Sequence, residues 1–242
     1  MAEQDEIIVF SPHLDDAALD CADHILAWKK LGLHVRVVTV FTKSASQSPA
    51  DSSCDSLDAL ERRRTYEDKE AMRLLGVSWN HLSFADEEVR RKKNWYGTSE
   101  RLGLEAPNAR ILGALVSAIT PFRNGSLFVS PLGIGGHIDH LLVREAAQFK
   151  TDPAAICYYV DYPYALSVLN WTRSDILRVI RRKKSIKVMS KAKKQLLETY
   201  SSQIPPIFSH TRFSVSWITW TLLGAYPEIL LYHKHARLCT RK

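Results

Sequence analysis

Ile7-Ile8-Val9-Phe10-Ser11-Pro12-His13-Leu14-Asp15-Asp16 runs from an apolar stretch directly into a histidine and two adjacent carboxylates. An unbroken apolar run of this length, with no polar alternation, predicts a parallel strand buried on both faces. Residues 15–30 follow with Leu19, Ala22, Ile25, Leu26 and Trp28 at a rough helical period that stops near Gly32. Strand and helix then alternate. Strands are predicted over residues 34–41, 79–84, 127–130 and 154–159, and helices over 57–75, 107–119 and 140–149. Residues 42–56 read as a loop, and residues 86–105 as a long charged loop or irregular insertion. Alternation of this kind predicts an α/β fold with a mainly parallel sheet and helices on both faces. A basic helical stretch is predicted over residues 176–200.

The chain has 242 residues, 45% hydrophobic and 24% charged, enough to bury a core without disulfides or a structural metal. One domain over residues 1–242 is expected, with a core over about 7–160 and an extension over about 165–242 packed on it. The start is acidic and carries only four consecutive apolar residues, unlike a secretory leader. The apolar segment 215–232 is interrupted by Gly224, Pro227 and Glu228, so no transmembrane segment is expected. Cys21, Cys54, Cys157 and Cys239 form no CxxC pair, which fits reduced thiols and a cytoplasmic location. The net charge of +7 is concentrated in residues 178–194 and in Arg90-Arg91-Lys92-Lys93. Solvated faces, anionic lipid or an acidic partner account for such runs; without interleaved aromatics in 178–194, no nucleic-acid partner is expected. Trp217, Trp220, Tyr226 and Tyr232 could pack the core, form a homo-oligomer interface or shape an acceptor site.

A second cluster, Gly135-Gly136-His137-Ile138-Asp139-His140, also follows a predicted strand. In open α/β sheets ligands bind beyond the carboxyl ends of strands, so both clusters fall on the functional edge. A dinucleotide site is excluded there, because Asp15 and Asp16 would repel a pyrophosphate where a glycine-rich loop is needed. Catalytic zinc takes three protein ligands and leaves a place for water. His13, Asp16 and His140 would make such a set, and Asp15 could then take a proton from the water. His137 could stabilise an oxyanion and protonate a leaving amine, with Asp139 orienting it or standing behind the ligands. Taken separately, the two aspartates also fit the first turn of a helix as cap and dipole partners.

Ser11-Pro12-His13-Leu14-Asp15-Asp16 resembles the (A/S)-H-x-D-D signature of the PIG-L/LmbE-like zinc-dependent N-acetylglucosamine deacetylases, and His137-Ile138-Asp139-His140 resembles their H-x-D-H motif. The likeness extends to Arg64-Thr65-Tyr66-Glu67-Asp68, to Leu75-Gly76-Val77, to residues 158–164 and to Tyr200-Ser201-Ser202-Gln203. It implies a Rossmann-like three-layer fold and removal of the N-acetyl group from an N-acetylglucosamine-containing small molecule: a soluble glycoside, an antibiotic or a thiol precursor. It assigns His13, Asp16 and His140 to one zinc or another divalent metal, Asp15 to the general base, and His137 to the acid role. Arg64 and Asp86 would contact substrate. Two departures stand out: Leu14 and Ala17 replace a proline and a glutamate common in H-P-D-D-E. Ile134, Gly135 and Gly136 also occupy the place where some relatives carry a tyrosine. A sugar-binding protein without catalysis, or an amidase for a larger acyl group or thiol conjugate, are the competing expectations.

Overall fold

The computed structural model describes residues 6–44, 57–91, 106–122, 127–149, 151–187, 189–204 and 228–233. Cys54, Cys239, Lys92, Lys93, Trp217, Trp220 and Tyr226 lie outside the described residues.

The strands are β1 (Glu6–Ser11), β2 (His34–Lys43), β3 (Ser78–Ala85), β4 (Leu127–Pro131), β5 (Ile156–Tyr159), β6 (Lys183–Lys187) and β7 (Glu228–Tyr232). They form one sheet in the order β3-β2-β1-β4-β5-β7-β6, with β7 antiparallel to both neighbours and the remaining pairings parallel. Ile7, Ile8, Val9 and Phe10 are fully buried, because β1 lies at the centre and helices cover both sides. The helices α1 (Asp16–Lys30), α2 (Leu57–Leu75) and α7 (Lys191–Leu197) pack together on one face, while α4 (Ala106–Ile119) and α5 (Ile138–Gln148) pack together on the other. Phe10 and Phe128 meet edge to face at 5.1 Å between rings, and the Tyr159 hydroxyl donates to the Phe10 carbonyl at 3.0 Å. This mainly parallel sheet with helices on both faces is the predicted class. Among the described residues, no helix is long and apolar enough to cross a membrane.

Two stretches differ from the sequence expectation. Residues 176–200 are not one helix: α6 (Arg173–Ile180), strand β6 and α7 succeed one another. Thr172 closes a capping box with Asp175 at the start of α6, and Ser190 caps α7. Between them, pairing of Lys183–Lys187 with β7 overrides the helical tendency of the lysines. Within the charged loop, Asp86 caps a short helix α3 (Glu87–Arg91), its Oδ1 accepting from the Val89 amide at 2.9 Å.

Most of the basic run is exposed, but Lys193 is buried: its Nζ donates to the Leu19 carbonyl at 2.6 Å and to Glu228 Oε1 at 2.7 Å. The Glu228 carboxylate also accepts from the Asp23 and His24 amides at 2.9 and 3.0 Å, tying β7 to α1. Burial pushes the Glu228 carboxyl up, but the Lys193 ammonium and His24 outweigh it and bring it from 4.5 down to about 2. A depressed carboxylate stabilises the fold above its unfolded value and stops doing so as pH falls through its folded one. Acid titration followed by circular dichroism should therefore show a stability loss between about pH 4.5 and 2 that Glu228→Gln removes.

A second clamp joins two stretches that the sequence likeness had picked out separately. Glu67 on α2 accepts from the Ser202 amide and both Ser201 and Ser202 hydroxyls at 2.6–3.1 Å. Beside it, Asp68 accepts from the Tyr200 hydroxyl at 2.9 Å and faces His81 Nε2 at 2.7 Å.

Candidate metal centre

β2 and β3 lie to one side of β1, and β4 and β5 to the other, so the strand order reverses between β1 and β4. The chain leaving β1 carries His13, Asp15 and Asp16, and the chain leaving β4 carries His137, Asp139 and His140. Parallel neighbours that diverge in this way open a crevice at their carboxyl ends. The rings of His13, His137 and His140 sit there in a triangle, 5.0–5.3 Å between centroids.

Local bonding frees the acids for this crevice. Asp15 occupies the N-cap position of α1, but its side chain makes no capping hydrogen bond. The Ser11 hydroxyl takes the Ala17 amide instead at 3.0 Å, and Asp16 Oδ2 accepts from the His13 amide at 2.7 Å. Ala17 itself is buried in the apolar core, where a glutamate would bring an unpaired carboxyl into that packing.

Two overlapping sets of groups have the spacing of a metal site: His13, Asp16 and His140, and His13, His137 and Asp139. Their surroundings separate them. In the first, His140 Nε2 is buried without a hydrogen-bond partner, 3.5 Å from Asp16 Oδ2. In the second, the Asp139 charge is already opposed: Arg90 Nη2 lies 2.7 Å from Oδ1, which makes no hydrogen bond, while Oδ2 accepts from the Glu87 amide at 2.9 Å. A bare imidazole nitrogen beside a carboxylate is the donor that a divalent cation satisfies. The first set fits such an ion.

Each histidine of that set is backed by a carboxylate. His13 Nε2 lies 3.1 Å from Asp139 Oδ2, leaving Nδ1 on the Asp16 side at 3.3 Å. His140 Nδ1 lies 2.7 Å from Asp161 Oδ1. Burial lowers both imidazoles, but Asp139 and Asp16 around His13, and Asp16 and Asp161 around His140, outweigh it and raise them. Asp16 is held well below the usual carboxylate range, because His140 and His13 overcome the effect of burial. Asp15 moves the other way: burial, with the Asp16 charge second, lifts its carboxyl to about 7 against the pull of His13 and Arg64. His137 caps α5, its Nδ1 accepting from the Asp139 amide at 3.3 Å. Burial and the charge on His13 push the His137 imidazole down to about 3, so it is neutral near pH 7.

Arg64 reaches the same region, donating from Nη1 to the Ser44 hydroxyl at 3.1 Å at the end of β2. Asp86 is buried and spends Oδ1 on capping α3. Three neighbours were not singled out from sequence. Arg90 belongs to a run read as surface charge, yet it points inward and lies over the Phe41 ring at 5.0 Å. Asp161 follows β5 at the same sheet edge, and an acid at a strand end was the signal that could have found it. Tyr164 sets its ring edge to face with His140 at 5.6 Å and tilted against His137 at 6.1 Å between centroids. It fills the space beside Gly135, whose φ is +84° and where an added Cβ would lie 2.9 Å from Tyr164 Cβ. Gly135→Ala should therefore cost about 2 kcal/mol from overpacking and the left-handed backbone, read as a lower thermal midpoint.

Carboxylates and imidazoles gathered at the strand-order reversal of a mainly parallel sheet define a chain of the α/β class with a metal-type donor set. Comparison with known proteins places it more closely. The sequence matches the PIG-L family, described as GlcNAc-PI de-N-acetylase, over residues 8–149, and the chain belongs to that family. It is similar to a 2'-N-acetylparomamine deacetylase of Streptomyces fradiae, 30% identical over 164 residues, covering 65% of this chain and 57% of the relative. A 2'-N-acetylparomamine deacetylase of Niallia circulans is 28% identical over 182 residues, covering 64% of this chain and 66% of the relative. The chain thus spans less than two thirds of the length of either. The zinc-inhibited form of teicoplanin deacetylase Orf2 superposes with a TM-score of 0.66 at 23% identity, over 93% of this chain and 97% of that one.

Proposed function

We propose that the protein is a metal-dependent hydrolase that removes the N-acetyl group from an acetylated amino sugar carried by a small molecule. The observation that carries this reading is the bare, buried His140 Nε2 facing Asp16 beside His13, with the Asp15 carboxyl adjacent in sequence. Two relatives named as 2'-N-acetylparomamine deacetylases support the amino-sugar class. His13, Asp16 and His140 would hold one zinc, which when bound supplies a Lewis acid for water and for the amide carbonyl.

The remaining chemistry falls to the chain's own groups. Asp15, lifted to about 7 before any cation binds and lower with one beside it, would accept a proton from water near neutral pH and return it to the nitrogen that leaves. One water is consumed, and acetate and a free amine result. His137, which the family resemblance puts in the acid role, is neutral near pH 7, which suits it to donate a hydrogen bond to the carbonyl oxygen as charge develops there rather than to protonate the nitrogen. Asp139 and Arg90 steady His13 from behind. Arg64 opposes the rise in the Asp15 carboxyl, and Asp86 sits at the sheet edge where substrate hydroxyls would approach.

Zinc-loaded protein should release acetate from N-acetylglucosaminides and lose that activity on treatment with a chelator, with recovery on zinc addition. Protein that binds these sugars equally well with and without metal, and releases no acetate from any of them, contradicts the proposal.

A further inference from the structure

The acid that follows β5 faces the half of the candidate centre that leaves β4. Asp161 is fully buried, and both of its oxygens accept. Oδ1 lies 2.7 Å from His140 Nδ1, while Oδ2 takes the Gly133 and Ile134 amides at 2.8 and 3.0 Å. Those two amides belong to the turn after β4 that leads into the segment bearing His137 and His140. A carboxylate beside Nδ1 requires the proton on that nitrogen, which leaves the lone pair on Nε2. Nε2 is the atom found buried and unpartnered beside Asp16.

The segment carrying Asp161 is anchored in turn from α1. Asp20 lies one helical turn after Asp16, is buried, and accepts from the Tyr162 amide through Oδ1 at 3.0 Å. A helix that carries one proposed ligand therefore also fixes the strand end that orients another. We propose that Asp161 is a positioning residue, holding His140 in the tautomer and orientation that present Nε2 to a divalent cation. Asp20 keeps Asp161 in place through Tyr162. The proposal rests on reading His13, Asp16 and His140 as a metal site.

Asp161→Asn tests it, because the amide cannot satisfy both sides. Its nitrogen must face either the His140 Nδ1 proton or the two backbone amides. Zinc affinity, measured by competition with a chromophoric chelator at a pH where the imidazoles are neutral, should fall about 10- to 100-fold. Asp20→Ala should weaken zinc binding less than Asp161→Asn does. Nitrogen-detected NMR of the zinc-free parent protein at the same pH should find His140 protonated on Nδ1. Affinity within twofold of the parent in Asp161→Asn, or a parent His140 protonated on Nε2, overturns the proposal. Should Asp161→Asn fail to fold, the tautomer in the parent decides alone. A parent protein that binds no divalent cation overturns the metal reading, whereas the tautomer reports on Asp161 independently.

Discussion

Asp15→Asn should leave zinc in the protein and lower turnover about 10²- to 10⁴-fold, the usual worth of a positioned acid–base group. The amide keeps the size of the carboxyl but cannot take a proton. Metal content by elemental analysis and acetate release on the same sample separate the two effects. His140→Ala should differ in kind, losing the metal and the activity together, because it removes the buried nitrogen that faces Asp16. The pH profile of the parent carries a further check. A base works in its ionised form, so the rate should fall as pH drops through the Asp15 value. That value is about 7 from burial and the Asp16 charge, and a divalent cation beside it would move the limb lower. An Asp15→Asn protein that keeps parental turnover would remove Asp15 from the mechanism.

Glu228→Ala should be among the most destabilising single changes in the fold. It leaves the Lys193 ammonium buried without its ion-pair partner and removes the acceptor that the Asp23 and His24 amides face. Breaking a buried pair from one side costs about 3–5 kcal/mol. For a domain of this size, that lowers the thermal midpoint by roughly 10 °C. Lys193→Met should cost less, because the Glu228 carboxylate retains two backbone amides and His24. The double variant should then be less destabilised than the sum of the two single variants. Additive losses in calorimetry would show that the pair is not coupled.

The sheet and most of the proposed site were readable from local pattern. The apolar run 7–10 could only be a central strand, and each cluster follows a strand, so topology alone brings them to one edge. What escaped depends on contacts between distant segments. Residues 183–187 look helical because lysine favours helices, and only pairing with β7 makes them a strand. Arg90 sits among four consecutive basic residues, and nothing local marks it as a side chain that turns inward. Asp139 left two readings open in the sequence, orienting His137 or standing behind the ligands; its carboxylate faces His13 across the crevice, and spacing along one chain segment cannot reveal which histidine it backs.

The placement of β7 has a consequence for the chain as it is made. β7 lies between β5 and β6, and β6 has no other strand neighbour among the described residues. Among the described strands, only residues 228–232 cover the outer edge of β5 and pair with β6, so neither pairing forms until they have left the ribosome. At about 5–20 residues per second of synthesis, the 73 residues from Val160 to Tyr232 take several seconds to follow β5. Throughout that interval the nascent sheet offers an unpaired, largely apolar edge to any extended segment nearby. Among the described strands, β5, which Asp161 follows, is thus the last of the parallel set to be covered on its outer side, and a chain halted before Glu228 lacks the strand that covers it.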